Sequence, residues 1–120
     1  MIAFVKVVVD DLDRQCAFYE TVLGMKPGPR MPADAYDQVF LTGPSGGPPL
    51  ALLSYRDGTE LRTGEAVLGF RVLDVDAVVR AAMAAGGSVR VEPKTVPGSG
   101  MRVAVVLDPE GHAMELLEGA

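Results

Sequence analysis

The stretch VKVVVDDLDRQCAFYETVLG, Val5 to Gly24, holds a strand and a helix separated by two acids. Val5, Val7 and Val9 alternate with Lys6 and Val8 in a β-branched run, the pattern of a strand with both faces at least partly covered. Asp10 and Asp11 end it. Leu12, Cys16, Tyr19 and Leu23 then recur at helical spacing, with Asp13 near the helix start and Gly24 as its stop.

Further along, Met25 begins a short strand that Pro27, Gly28 and Pro29 interrupt, and the runs Val39–Thr42 and Leu50–Leu53 form strands flanking the turn-rich GPSGGPP. The second half repeats this order. Val67 to Leu73 reads as a strand. Val75, Val78, Val79, Ala82 and Met83 dress a helix that Gly86 and Gly87 end, and strands follow at Val89, Val103–Leu107 and Ala113–Leu117. A displacement of 63 residues carries Asp11 onto Asp74, Asp13 onto Asp76, and Leu23-Gly24 onto Gly86-Gly87. The fold class is therefore α+β, two copies of βαβββ covering residues 1–55 and 65–120. The polar connector 56–64 is too short to separate independent domains, so one pseudo-symmetric domain, 1–120, is expected.

Composition narrows the function. With 48% hydrophobic residues in 120, the chain supports a proper core, yet no apolar segment approaches membrane-spanning length. The opening MIAFVKVVVDDLDR lacks a basic n-region and a small-residue cleavage site, so a cytoplasmic protein with no membrane partner is expected. Cys16 is the only cysteine, which excludes an internal disulfide and suits a reducing compartment. The net charge is −5 and the 11 Lys and Arg are scattered, which argues against nucleic acid and favours a cationic or neutral ligand over a polyanion.

The chain closes on LDPEGHAMELLE, Leu107 to Glu118, where Asp108-Pro109-Glu110-Gly111 reads as a tight turn. His112 sits at the strand's mouth as a solvated or capping residue. It lies three residues from Glu115, on the opposite face, so the two do not chelate one ion. Glu115 interrupts the apolar run Ala113–Leu117 and needs a partner, water or a function.

Three segments, VVVDDLDRQCAFYETVLGM (Val7–Met25), FRVLDVDAVVRAAMAAGG (Phe70–Gly87) and VVLDPEGHAMELLE (Val105–Glu118), together resemble the vicinal oxygen chelate superfamily. This is also called the glyoxalase/bleomycin-resistance/extradiol-dioxygenase superfamily, and the resemblance covers nearly the whole chain. It implies paired βαβββ modules whose mixed sheets curl into concave grooves, usually completed in a homodimer. In metal-dependent members it implies one divalent ion, with ligands near the start of each module's first strand and on each module's last strand. Carried onto this chain, those positions are Phe4, Val67, Glu115 and, by the same displacement, Leu52. One carboxylate with three apolar residues is no chelate, so neither metal nor other cofactor is expected.

With Phe4 facing the groove, period two selects Lys6 and Val8 beside it, then Val67, Gly69, Arg71 and Leu73. On the last strands it selects Leu50, Leu52 and Ser54 in one module and Ala113, Glu115 and Leu117 in the other. Lys6, Arg71 and Glu115 are expected to neutralise one another. The loops 31–36 and 93–101 occupy corresponding places and suit specificity, Met101 bending over the guest. The expected ligand contacts are Phe4, Lys6, Met31, Tyr36, Phe40, Leu52, Val67, Arg71, Met101 and Glu115.

The function expected is metal-independent binding and sequestration of a hydrophobic or aromatic small molecule by a homodimer, as antibiotic resistance of the bleomycin-resistance type. The alternative is a metal-independent lyase or isomerase. In that case Glu115 acts as general base, desolvated by Phe4, Leu52 and Val67.

Overall fold

The computed structural model describes residues 1–57 and 66–119, so most of the 56–64 connector lies outside the described residues. The chain divides into two compact units, Met1–Arg62 and Thr63–Ala120, each an α+β module of the expected βαβββ order.

In the first unit β1 (Val5–Val8) runs parallel to β5 (Leu50–Tyr55). Parallel neighbours require a crossover, and α1 (Leu12–Leu23) provides it. The Asp11 carboxylate caps the helix by accepting from Arg14 N at 3.1 Å, a bond of a kind that contributes about 1 kcal/mol. Gly24 ends it at φ 67°, a left-handed conformation that glycine adopts without steric cost. The helix buries Leu12, Phe18, Tyr19 and Val22 over the sheet.

β5 pairs antiparallel with β4 (Tyr36–Thr42), and β4 with two short pieces, β2 (Lys26–Pro27) and β3 (Met31–Pro32). The split falls at Gly28, Pro29 and Arg30, because proline has no N–H for the ladder. Gly28 N donates to Phe40 O at 2.8 Å, where an added Cβ would lie 3.3 Å from that oxygen.

The second unit repeats the plan. β6 (Val67–Arg71) runs parallel to β9 (Ala113–Glu118), and β8 (Arg102–Leu107) and β7 (Ser88–Thr95) follow antiparallel, with α2 (Val75–Ala84) as the crossover. β6 is shorter than its sequence suggests. After Val72 N donates to Leu117 O the chain bends, and Leu73 is 99% exposed rather than in the strand. The core on the helix side comprises Val75, Val79 and Ala82 from α2 with Ala104, Val106, Met114 and Leu116 from the sheet. Pro93 lies in β7, an edge strand with two register shifts, which is where a sheet tolerates proline.

Acids anchor the start of α2. Asp74 accepts from Ala77 N, Glu118 at the end of β9 accepts from Val75 N at 2.7 Å, and Asp76 pairs with Arg102. The Arg102 hydrogen bond holds the Asp76 carboxyl below its ordinary range. A depressed carboxyl stabilises the fold above its unfolded pKa and loses that contribution as pH falls through the folded one.

The β8–β9 connection is held by Asp108. Its backbone N–H donates to His112 O at 2.9 Å, and its buried carboxylate accepts from Glu110 N, His112 N and His112 Nδ1. Of the two readings expected for His112, solvated or capping, the side chain is not solvated: it is largely buried and tied to the turn through Asp108. Asp108→Ala removes the shared acceptor and is expected to lower unfolding stability by about 2–4 kcal/mol in urea titrations. Asp108→Asn keeps one acceptor oxygen and is expected to lose clearly less, whereas equal losses contradict this account of the turn.

Candidate functional site

The sheet register decides which side chains share a face. In the first unit Lys6 stands beside Ala51 and Ala51 beside Phe40, while Tyr55 stands beside Tyr36. Met31 lies opposite Gln38 on β4, so it belongs to the same face as Tyr36 and Phe40. The side chains meet. The Phe4 and Phe40 rings pack edge-on at 5.8 Å, Tyr36 and Tyr55 at 5.6 Å, and the Lys6 ammonium lies 5.6 Å from the Phe4 centroid and 5.5 Å from that of Tyr36. These are favourable edge-to-face and cation–π spacings. Phe4 and Met31 are 46% and 45% exposed, so the aromatic face is open within its unit. Gln38 keeps its side-chain oxygen buried there without a hydrogen-bond partner among the described residues.

Leu52 is not on this face. It pairs with Val7 and Val39, lies on the side covered by α1 and is 0% exposed, and Leu50 and Ser54 share its parity. The displacement between modules grows by one residue before the last strand: Val5 stands beside Leu50, but Val67 already stands beside Ala113. The counterpart of Glu115 is therefore Ala51. This shift is invisible in a constant-offset comparison, because an insertion within a turn leaves both strand patterns intact.

The second unit's open face carries Val67, Gly69 and Arg71 from β6, then Glu115 and Leu117 from β9. Val103, Val105 and Leu107 from β8 complete it. Glu115 is exposed, beside Gly69 and Val105. The neutralising cluster expected of Lys6, Arg71 and Glu115 draws on both units, and within the second no Arg71–Glu115 ion pair is present among the described residues. Arg71 Nη1 donates instead to Gly119 O at 2.7 Å, because the strand end brings a backbone carbonyl within reach. Met101 precedes β8 and lies against Gly119, where an added Cβ would be 3.6 Å from the Met101 Cα. Its loop is closed by Val96 N donating to Met101 O.

Sequence reasoning missed a polar cavity of about 410 Å³ at the start of α1, lined by Asp10, Asp13, Arg30, Asp37, Tyr55 and Arg56 among others. Arg30 pairs with Asp13 at 2.8 Å, and Arg56 pairs with Asp37 and donates to Ala33 O and Asp34 O. Arg56 thereby pins the segment that leads into Tyr36. Nearby, burial and the Asp13 charge push the Cys16 thiol up, which makes it a poor nucleophile at neutral pH.

Residues 1–116 match the family model described as Glyoxalase/Bleomycin resistance protein/Dioxygenase superfamily, and the chain belongs to that superfamily. A putative lactoylglutathione lyase of Brassica oleracea var. gemmifera is 36% identical over 92% of this chain, and the match takes in 41% of that protein. The chain thus spans about two fifths of the length of such relatives. The lactoylglutathione lyase of Haemophilus influenzae is 34% identical over 92% of this chain and 86% of its own. The anthracycline biosynthesis protein DauV of Streptomyces sp. (strain C5) is 33% identical over 98% and 41%. A crystal structure of a glyoxylase/bleomycin resistance protein/dioxygenase domain from Frankia sp. EAN1pec shares the fold with a TM-score of 0.83 at 23% identity, covering 100% of this chain and 92% of that one.

The chelate implied by metal-dependent members does not fit these residues. Corrected for the register, the four positions are Phe4, Ala51, Val67 and Glu115, which offer one oxygen-bearing side chain. Elsewhere Asp74, Asp76 and Glu118 bring carboxylate oxygens within 4.8 Å of one another, but each holds a helix N–H or Arg102. Protein dialysed against Zn²⁺, Ni²⁺ or Mg²⁺ and then against buffer is expected to show background metal by elemental analysis. One ion per chain surviving dialysis contradicts this assignment.

Proposed function

We propose that this protein binds and sequesters a hydrophobic or aromatic small molecule without a metal, in the manner of bleomycin-resistance-type members of the superfamily. The observation that carries the reading is the open aromatic face of the first unit, where Phe4, Tyr36, Phe40 and Tyr55 form two edge-on pairs around Lys6. A surface of rings with one orienting charge is what recognition of a flat apolar molecule requires. The likeness to an anthracycline biosynthesis protein is consistent with a polycyclic aromatic guest. The activity named for the lyase relatives is less well supported here, because three of the four positions are Phe4, Ala51 and Val67.

A metal-independent enzyme based on Glu115 loses part of its physical basis. Leu52, one of the groups invoked to desolvate the carboxylate, lies in the other unit on the helix-covered face, and Glu115 itself is exposed.

Titration with bleomycin, an anthracycline and 1-naphthylmethanol is expected to give saturable binding of at least one. Tyr36→Ala and Phe40→Ala are each expected to raise Kd about tenfold. The bound compound should be recovered unchanged in mass and stereochemistry. A product formed by the wild type and lost in Glu115→Gln overturns the reading in favour of catalysis.

We also propose a homodimer, since Phe4, Met31 and Val67 leave large apolar side chains exposed on the two open faces. Sedimentation at micromolar concentration is expected to show twice the 12.6 kDa chain mass, and a single 12.6 kDa species rejects it.

A further inference from the structure

The proposed aromatic face carries a lysine with no acid assigned to it. Lys6 is exposed, its ammonium lies over the Phe4 and Tyr36 rings, and no carboxylate pairs with it among the described residues. Asp37, adjacent to Tyr36 on β4, has the opposite parity and pairs with Arg56 and Arg30. Four ring-bearing residues, Phe4, Tyr36, Phe40 and Tyr55, and one cation without a carboxylate partner among the described residues thus share one side of a sheet.

We propose that this face selects planar aromatic anions, molecules whose carboxylate or phenolate takes the Lys6 ammonium while the ring system packs against Phe4, Phe40 and Tyr36. The inference rests on the binding function proposed above and adds the charge class of the guest. It reverses the preference that the net charge of −5 suggests. Overall charge acts through solvent and is screened beyond about 8 Å at physiological ionic strength, whereas Lys6 meets the ligand at contact. The rings strengthen that contact because they exclude water from one side of the ion pair and lower its local dielectric. Moving a carboxylate against Lys6 does not require the ammonium to leave the rings, since an ammonium has three donors.

The test uses the full chain and three probes of one ring system, 1-naphthoate, 1-naphthylmethanol and 1-naphthylmethylammonium, titrated calorimetrically at pH 7.5 and low salt. The wild type is expected to bind the acid about fivefold or more tightly than the alcohol, the scale of a favourable exposed ion pair, and the ammonium most weakly. In Lys6→Met the ratio of acid to alcohol affinity should fall to about one, and in Lys6→Arg it should persist. Raising the salt to 0.5 M should shrink the wild-type ratio and leave that of Lys6→Met unmoved.

A wild type that binds the alcohol but shows no preference for the acid, or prefers the ammonium, overturns the anion assignment and leaves the aromatic-binding reading standing. An acid preference that survives in Lys6→Met also overturns it. Failure of all three probes to bind overturns the anion assignment, and the aromatic-binding reading falls with it only if bleomycin and the anthracycline also fail to bind. Because Lys6 is exposed, the variants are expected to keep the wild-type circular dichroism spectrum. The affinity ratio, being internal to each variant, is read independently of any loss of folded protein.

Discussion

The parallel pairing of the first strand with the last, β1 with β5 and β6 with β9, is the constraint on which each module depends. A parallel neighbour cannot be reached by a hairpin, so the chain must leave the sheet, cross it as a helix and return. That crossover covers one face only. Val39, Leu41, Leu50 and Leu52 of β4 and β5 are then core on the side that α1 covers, and the opposite parity carries Tyr36, Phe40 and Tyr55. Leu52 and Ala51, neighbours in sequence and both buried, face opposite sides of the sheet for this reason alone.

Much of this was legible in the residues. The alternation of valines, the helical spacing of Leu12, Tyr19 and Leu23, and the echo of Asp11 in Asp74 marked both modules, because strand and helix periods and capping chemistry are local. Which residues share a face across strands is not local. Period two puts Lys6 on the side of Phe4, and the register adds Tyr36 and Phe40 to that face, but Leu52 was misplaced by a one-residue change in the displacement between modules. Tyr55 escaped notice for the same reason: its place beside Tyr36 follows from pairing and has no signature of its own. The Arg71 to Gly119 contact was equally hidden, since a backbone carbonyl leaves no mark in the side-chain pattern.

Several of the chain's acids have structural tasks. Asp11 and Asp74 cap helices, Asp13 and Asp37 meet Arg30 and Arg56, Asp76 meets Arg102, and Asp108 organises a turn. Helix starts attract acids because their free N–H groups and dipole favour negative charge. Net charge therefore describes the scaffold's ends and corners more than the ring-bearing face, where the charge nearest the aromatic side chains is Lys6.

Among the described residues neither sheet borrows a strand from the other: all strands of the first lie at or before Tyr55, and those of the second begin at Val67. During synthesis, at about 5–20 residues per second, the first module has every strand it needs before the second has left the ribosome. Two similarly patterned halves are thus seldom unfolded side by side. A duplicated chain whose sheets exchanged strands would lack that protection and would risk pairing the wrong copies, so keeping each ladder within its own half makes the order of translation a safeguard against misassembly.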